Sequence, residues 1–269
     1  MKKDRKTFHD FLEHARKEKA KFAIYLFLRI FVMAAMITQL FHKNYENAFL
    51  CILTLVLFIL PNLIEIKFRI ELPNVMEIMI VLLIFAATIL GEIYRYYLIY
   101  PLWDDVLHVL NGFLAAAIGF SLVDILNQNE NVRFKLSPFF VALVSFCFSM
   151  TIGVFWEFFE FAMDMIFKFD MQKDTIVHSI STIKLDPSGR NIPFIINDIH
   201  SVTVDGNDLG LGGYLDIGLI DTMKDLIVNF IGAFVFSALG YFYIKKRGNS
   251  WWTKFFLIRK SELNDKDNE

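Results

Sequence analysis

The chain has 269 residues, 55% of them hydrophobic and 16% aromatic, with 30 Phe and a mean hydropathy of +0.46. That composition excludes an ordinary soluble globular protein, and a net charge of −2 excludes a nucleic-acid binder working through a basic surface. Cys51 and Cys147 both lie in apolar stretches and there is no CxxC, so neither a disulfide framework nor a thiolate metal site is suggested.

Residues 1–21 carry Phe8, Phe11, Leu12 and Ala15 at helical spacing among many Lys and Arg. Two readings fit them, a basic amphipathic helix on the cytoplasmic membrane surface or a partly disordered basic tail. A cleavable signal is not expected, because the polar stretch and the apolar run after it are both too long. Apolar runs of about 20 residues then recur, the length that crosses a bilayer. Hydropathy places them at 22–41, 47–64, 74–92, 105–126, 138–163 and 222–244. The fold class expected is therefore all-α, a polytopic transmembrane bundle of about six spans over 22–244 with no separate soluble domain. Residues 245–269 form a tail.

Charge sets the expected orientation. Lys2, Lys3, Arg5, Lys6, Arg16, Lys17, Lys19 and Lys21 precede the first span. Lys67 and Arg69, Arg133 and Lys135, and Lys245, Lys246 and Arg247 fall on the same side, against only Lys43 and Arg95 in the short loops opposite. Positive-inside logic puts both termini in the cytoplasm, as a multi-pass protein of the cytoplasmic membrane. Trp251 and Trp252 fit an inner aromatic belt; Tyr94, Tyr96, Tyr97, Tyr100, Trp103 and Trp156 fit an outer one. Arg29, near the cytoplasmic end of the first span, reads as a snorkelling side chain.

One long loop, 165–220, is expected outside. Alternation over 175–180 and 195–204 predicts short strands. Glycines in 204–213 mark turns, and the acidic stretch there does not match an EF-hand loop. Pro187-Ser188-Gly189-Arg190 is similar to part of a membrane phosphatase motif, but the rest is missing and it reads as a turn.

Charged residues gather at one end of the last three spans. Asp104, His108 and Asn111 open the fourth; Glu157, Glu160 and Asp164 close the fifth; Asp221, Asp225 and Asn229 open the sixth. Spacings of three and four place each set on one helix face. Carboxylates facing lipid are costly, so these faces should turn inward and converge at the external end of the bundle. Crowded like charges need shared protons or a cation. Oxygen-rich donors with at most one imidazole suit Mg²⁺, Mn²⁺ or Ca²⁺, or a carboxylate-rich Zn or Fe site. The expected metal ligands are Asp104, His108, Glu157, Glu160, Asp221 and Asp225, with His108 and Glu157 as acid–base candidates. A structural reading competes: Asp104 and Asp221 suit N-caps, Asp105 suits a helix start, and Glu160 and Asp164 suit a solvated helix exit. Capping explains the deeper His108, Glu157 and Asp225 poorly.

Asp104…His108-Val-Leu-Asn-Gly, Trp156-Glu157-Phe-Phe-Glu160 and Asp221-Thr-Met-Lys-Asp225-Leu together resemble the YjdF-type bacterial membrane proteins, a family of unknown function. More remotely, Asp225, Asn229 and Gly232 resemble the Asp-x-x-x-Asn-x-x-Gly of VanZ-like proteins. Those are linked to reduced sensitivity to a glycopeptide antibiotic. Glu160 stands where their pattern has Gln, and the long loop is a further departure. The resemblance implies a shared grouping of residues and no particular reaction.

Three functions fit. The first is an outward-facing carboxylate/histidine site, able to hold a divalent cation, acting on an envelope lipid or lipid-linked substrate. The second is a cation- or proton-coupled carrier, disfavoured because such sites lie near the midplane. The third is a membrane binding or assembly protein without catalysis.

Overall fold

A computed structural model describes residues 19–68, 70–128, 135–246 and 259–260. The basic segment before residue 19 and most of the tail, with Trp251 and Trp252, lie outside the described residues. Six helices are long and apolar enough to cross a membrane: Lys19–Phe41, Tyr45–Lys67, Asn74–Ile93, Trp103–Asn127, Pro138–Phe167 and Leu219–Lys245. Each overlaps an expected span, mostly with an extra residue or more at one end or both. The protein is mostly helical, and its long connector lies between the fifth and sixth of these helices.

The first span is α1 (Lys19–Phe41). The second is broken into α2 (Tyr45–Leu57) and α3 (Leu60–Phe68). Pro61 explains the break, since it has no N–H and its ring crowds the carbonyl four residues back, at Leu57. The third, α4 (Asn74–Phe85), continues as a π-helical turn over Ala86–Ile93. There the Thr88 hydroxyl donates to the Ile84 carbonyl at 2.7 Å and accepts from the Thr54 hydroxyl at 2.7 Å. A short α5 (Tyr96–Ile99) leads to α6 (Trp103–Gln128), α7 (Pro138–Phe167) and α8 (Leu219–Lys246). Tyr96 packs edge-on against both Tyr100 and Trp103, at 4.9 Å.

The chain divides into two compact units, residues 1–151 with 228–269, and residues 152–227. In the first, Leu28, Val32 and Ala35 of α1 pack with Cys51 and Phe58 and with Val81, Phe85 and Ile89. A second cluster joins Met76 and Ile80 to Leu114, Ala117 and Phe120 of α6, Val141 of α7, and Ala233 and Phe236 of α8. Small residues let backbones touch, as membrane helices require when lipid is as apolar as their side chains. Gly112 of α6 lies against the Asn229 carbonyl, and Gly232 of α8 against the Val109 carbonyl. Hydroxyls add bonds between helices: Ser149 donates to the Gly112 carbonyl and Ser145 to the Ala116 carbonyl, both at 2.7 Å. Ser237 donates to Ser145 at 3.3 Å. A two-residue β1 (Ile70–Glu71) pairs antiparallel with β8 (Arg259–Lys260).

The second unit holds the connector. Here β2 (Ile176–Val177) pairs with β7 (Tyr214–Leu215), β3 (Ile180–Thr182) with β4 (Phe194–Ile196), and β5 (Thr203–Val204) with β6 (Asn207–Asp208), all antiparallel. The two strand signals at 175–180 and 195–204 thus become four short strands. Between β5 and β6, Asp205 and Gly206 both take positive φ, 51° and 83°, the conformation for which hairpins favour Asp-Gly.

Candidate carboxylate site

From residue 152 onward α7 has two faces. Gly153, Glu157 and Glu160 are buried, while Phe155, Phe158, Phe159 and Phe161 are exposed. Period-3.6 spacing puts the carboxylates on the inner face and leaves the phenylalanines for lipid. Glu157 is 5% exposed, Glu160 7% and Asp225, from α8, 1%, so none is a solvated helix-exit residue. One ligand oxygen from each of the three lies within 4.8 Å of the others. The Trp156 indole N–H donates to Glu160 Oε1 at 2.8 Å.

In the other unit, α6 presents Asp104 Oδ1 3.5 Å from His108 Nε2, one helical turn apart, with His108 buried. A carboxylate beside one ring nitrogen orients an imidazole. Asn229 is buried, and its side-chain N–H contacts Met150 Sδ at 3.6 Å.

Asp221 has a different occupation. Its Oδ2 accepts the Lys173 N–H at 2.8 Å. It joins two other carboxylates that fasten residues 171–175 to the helix ends. Asp164 accepts the Met171 and Gln172 N–H groups at 2.7 and 2.8 Å. Asp216 accepts those of Thr175 at 2.7 Å, Ile220 at 2.8 Å and Gly218 at 3.3 Å. Asp104 and Asp221 both lie inside the first turns of their helices rather than at N-cap positions. The residue that satisfies a first-turn N–H of α8 is Asp216, which sequence reasoning missed; its signal is an acid just before Gly218 and an apolar run. The Pro187–Arg190 stretch is a turn as expected. Asp186 holds it, accepting from the Ser188, Arg190 and Ile192 N–H groups.

Burial pushes the Asp216 carboxyl up, but the N–H bonds from Thr175, Ile220 and Gly218 outweigh it and hold it below the usual range. A depressed carboxylate contributes stability that is complete above its unfolded pKa, about 3.9, and lost as pH falls through the lower folded value. Amide-exchange protection of the Thr175 and Ile220 N–H groups should therefore persist through pH 5 and collapse only in stronger acid. Asp216→Asn should show the weakened protection already at neutral pH. Protection indifferent to both would remove this anchoring role.

A second polar knot also escaped the sequence reading. Glu77 of α4 is buried, accepts the Tyr25 hydroxyl at 3.1 Å and forms an ion pair with Lys21. An acid one turn inside an apolar span, with a Lys at the start of another, was the available signal.

The family model of DUF2238, described as a predicted membrane protein, matches residues 24–246. The chain belongs to the DUF2238 family. That match takes in nearly all of the six long helices, the connector and every site residue discussed above except Lys21. No curated protein and no solved structure matches it.

Proposed function

We propose that Glu157, Glu160 and Asp225 hold a divalent cation at the external face of the cytoplasmic membrane, and that this DUF2238 protein uses it on an envelope lipid or lipid-linked substrate. The observation behind the proposal is the group of three buried carboxylates with ligand atoms within 4.8 Å of one another. Like charges at that separation repel by about 3 kcal/mol per pair at an effective dielectric of 20. Protons or a cation must accompany them. An all-oxygen set suits Mg²⁺, Mn²⁺ or Ca²⁺, and carboxylate sites also take Zn or Fe. A cation there supplies Lewis acidity toward a phosphoryl or acyl oxygen.

His108, oriented by Asp104, is assigned the proton-transfer role from residue type and from its place at the same end of a span; Glu157 is the second candidate. Asp221 is included for its charge, and its bond to Lys173 supports a role in fixing the edge of the connector. The likeness to YjdF-type and VanZ-like proteins rests on these same residues. Elemental analysis of protein purified without chelator tests the cation: wild type should carry a stoichiometric divalent metal, and Glu157→Gln should not. A metal-free wild type would overturn it.

The external placement rests on the Lys/Arg asymmetry, as do the cytoplasmic assignments of residues 1–21 and 245–269. Single cysteines replacing Ser188 or Ser250, in a background with Cys51 and Cys147 changed to Ser, should behave differently in intact cells. A membrane-impermeant thiol reagent should reach position 188 and not 250. The reverse pattern would turn the site toward the cytoplasm.

A further inference from the structure

The β3–β4 hairpin carries a surface unsuited to water. Ile183, Leu185, Ile192, Phe194 and Ile195 are 50%, 52%, 49%, 47% and 59% exposed. Scattered exposed apolar residues need no explanation, but a dense run of them in one short element marks a contact surface. Its charges are also one-sided. Within 180–196 the ionisable residues are Lys184, Arg190 and Asp186. The Asp186 carboxylate is turned onto the hairpin's own Ser188, Arg190 and Ile192 N–H groups and the Ser188 hydroxyl. Those bonds hold its pKa at about 2, so it stays ionised, and they fix the turn that carries the two cations.

The connector starts and ends at spans, so it begins and ends at one face of the bilayer. Asp164, Asp216 and Asp221 fasten residues 171–175 to the helix ends. β2 begins at the next residue, and β3 follows it after two more. The hairpin is thus tethered within a few residues of the membrane surface, with apolar side chains and two cations and no second acid.

We propose that the β3–β4 hairpin lies on the lipid surface where the connector emerges, its apolar side chains in the interface and Lys184 and Arg190 on anionic headgroups. This matches the recipe for interfacial binding, apolar insertion plus basic residues toward anionic lipid. It is independent of the carboxylate site and goes beyond the function proposed for it.

The test uses the full chain in phosphatidylcholine–phosphatidylglycerol vesicles, in the Cys51→Ser, Cys147→Ser background. A nitroxide is attached at Leu185→Cys or, separately, Ile192→Cys. At both positions collisions with oxygen, which concentrates in lipid, should exceed those with a water-soluble nickel chelate. Adding Lys184→Glu and Arg190→Glu should raise nickel access. Nickel access exceeding oxygen access at both positions would overturn the proposal in favour of an aqueous loop. Low access to both reagents would overturn it in favour of a protein contact, including a second copy of this chain.

Discussion

Glu157→Gln is expected to abolish the thermal stabilisation that Mn²⁺ or Mg²⁺ gives the wild-type protein, and Asp225→Asn to do the same. Both carboxylates are buried and belong to one close group. A cation that binds only the folded state stabilises it by about 2.7 kcal/mol at a hundredfold excess over Kd. For a protein of this size that amounts to a rise in Tm of roughly 5–10 °C. Removing one ligand should leave the melting curve insensitive to metal or chelator. If the carboxylates instead share protons, the neutral substitutions relieve repulsion, and Tm stays level or rises without any metal response. A wild type whose melting ignores every divalent cation and chelator would end the metal reading.

Gly232→Ala and Gly112→Ala should each destabilise the protein by about 3 kcal/mol or more, at the upper end for overpacked sites. A Cβ on Gly232 would meet the Val109 carbonyl oxygen at 2.0 Å, and one on Gly112 the Asn229 carbonyl oxygen at 2.2 Å. Both obstacles are backbone, so no rotamer change relieves them and α6 and α8 must part. Gly240→Ala is the comparison: its Cβ would meet the Phe120 ring at 2.5 Å, a side chain that can shift, and the loss should be smaller. Because both glycines serve one helix contact, the double substitution should cost less than the sum. Denaturation in mixed detergent micelles measures this, and a Gly232→Ala protein as stable as wild type would refute the contact.

Hydropathy made the spans legible because the length of an apolar run is set by the bilayer rather than by tertiary detail. Pro61 was visible too, but its break in the second span depends on the carbonyl it crowds. The inward turn of Glu157 and Asp225 followed from the cost of a charge facing lipid, and both are buried. Spacing alone could not separate Asp221 from Asp225, one turn apart. Only the fold shows that Asp221 accepts a connector N–H while Asp225 sits with Glu157 and Glu160. Asp216 and Glu77 left local signals, but their distant partners were illegible: these lie 41 residues away for the Thr175 N–H and 52 for the Tyr25 hydroxyl. No local pattern encodes such pairs. The glycines of the motif-like stretches became interpretable once their facing carbonyls were known.

The length of α7 makes the carboxylates sensitive to bilayer thickness. Its 30 residues extend about 45 Å, roughly 15 Å more than the hydrocarbon they cross. Were Pro138 set at one edge of the hydrocarbon, Glu157 would lie about 28 Å along the axis, where acyl chains give way to headgroups. A membrane of longer lipids would then surround the buried Glu157 and Glu160 at hydrocarbon depth, and one of shorter lipids would surround them at headgroup depth. The host membrane's acyl-chain length would thereby act on the dielectric beyond the protein wall around these groups, and tilt of the overlong helix is the adjustment available to resist it.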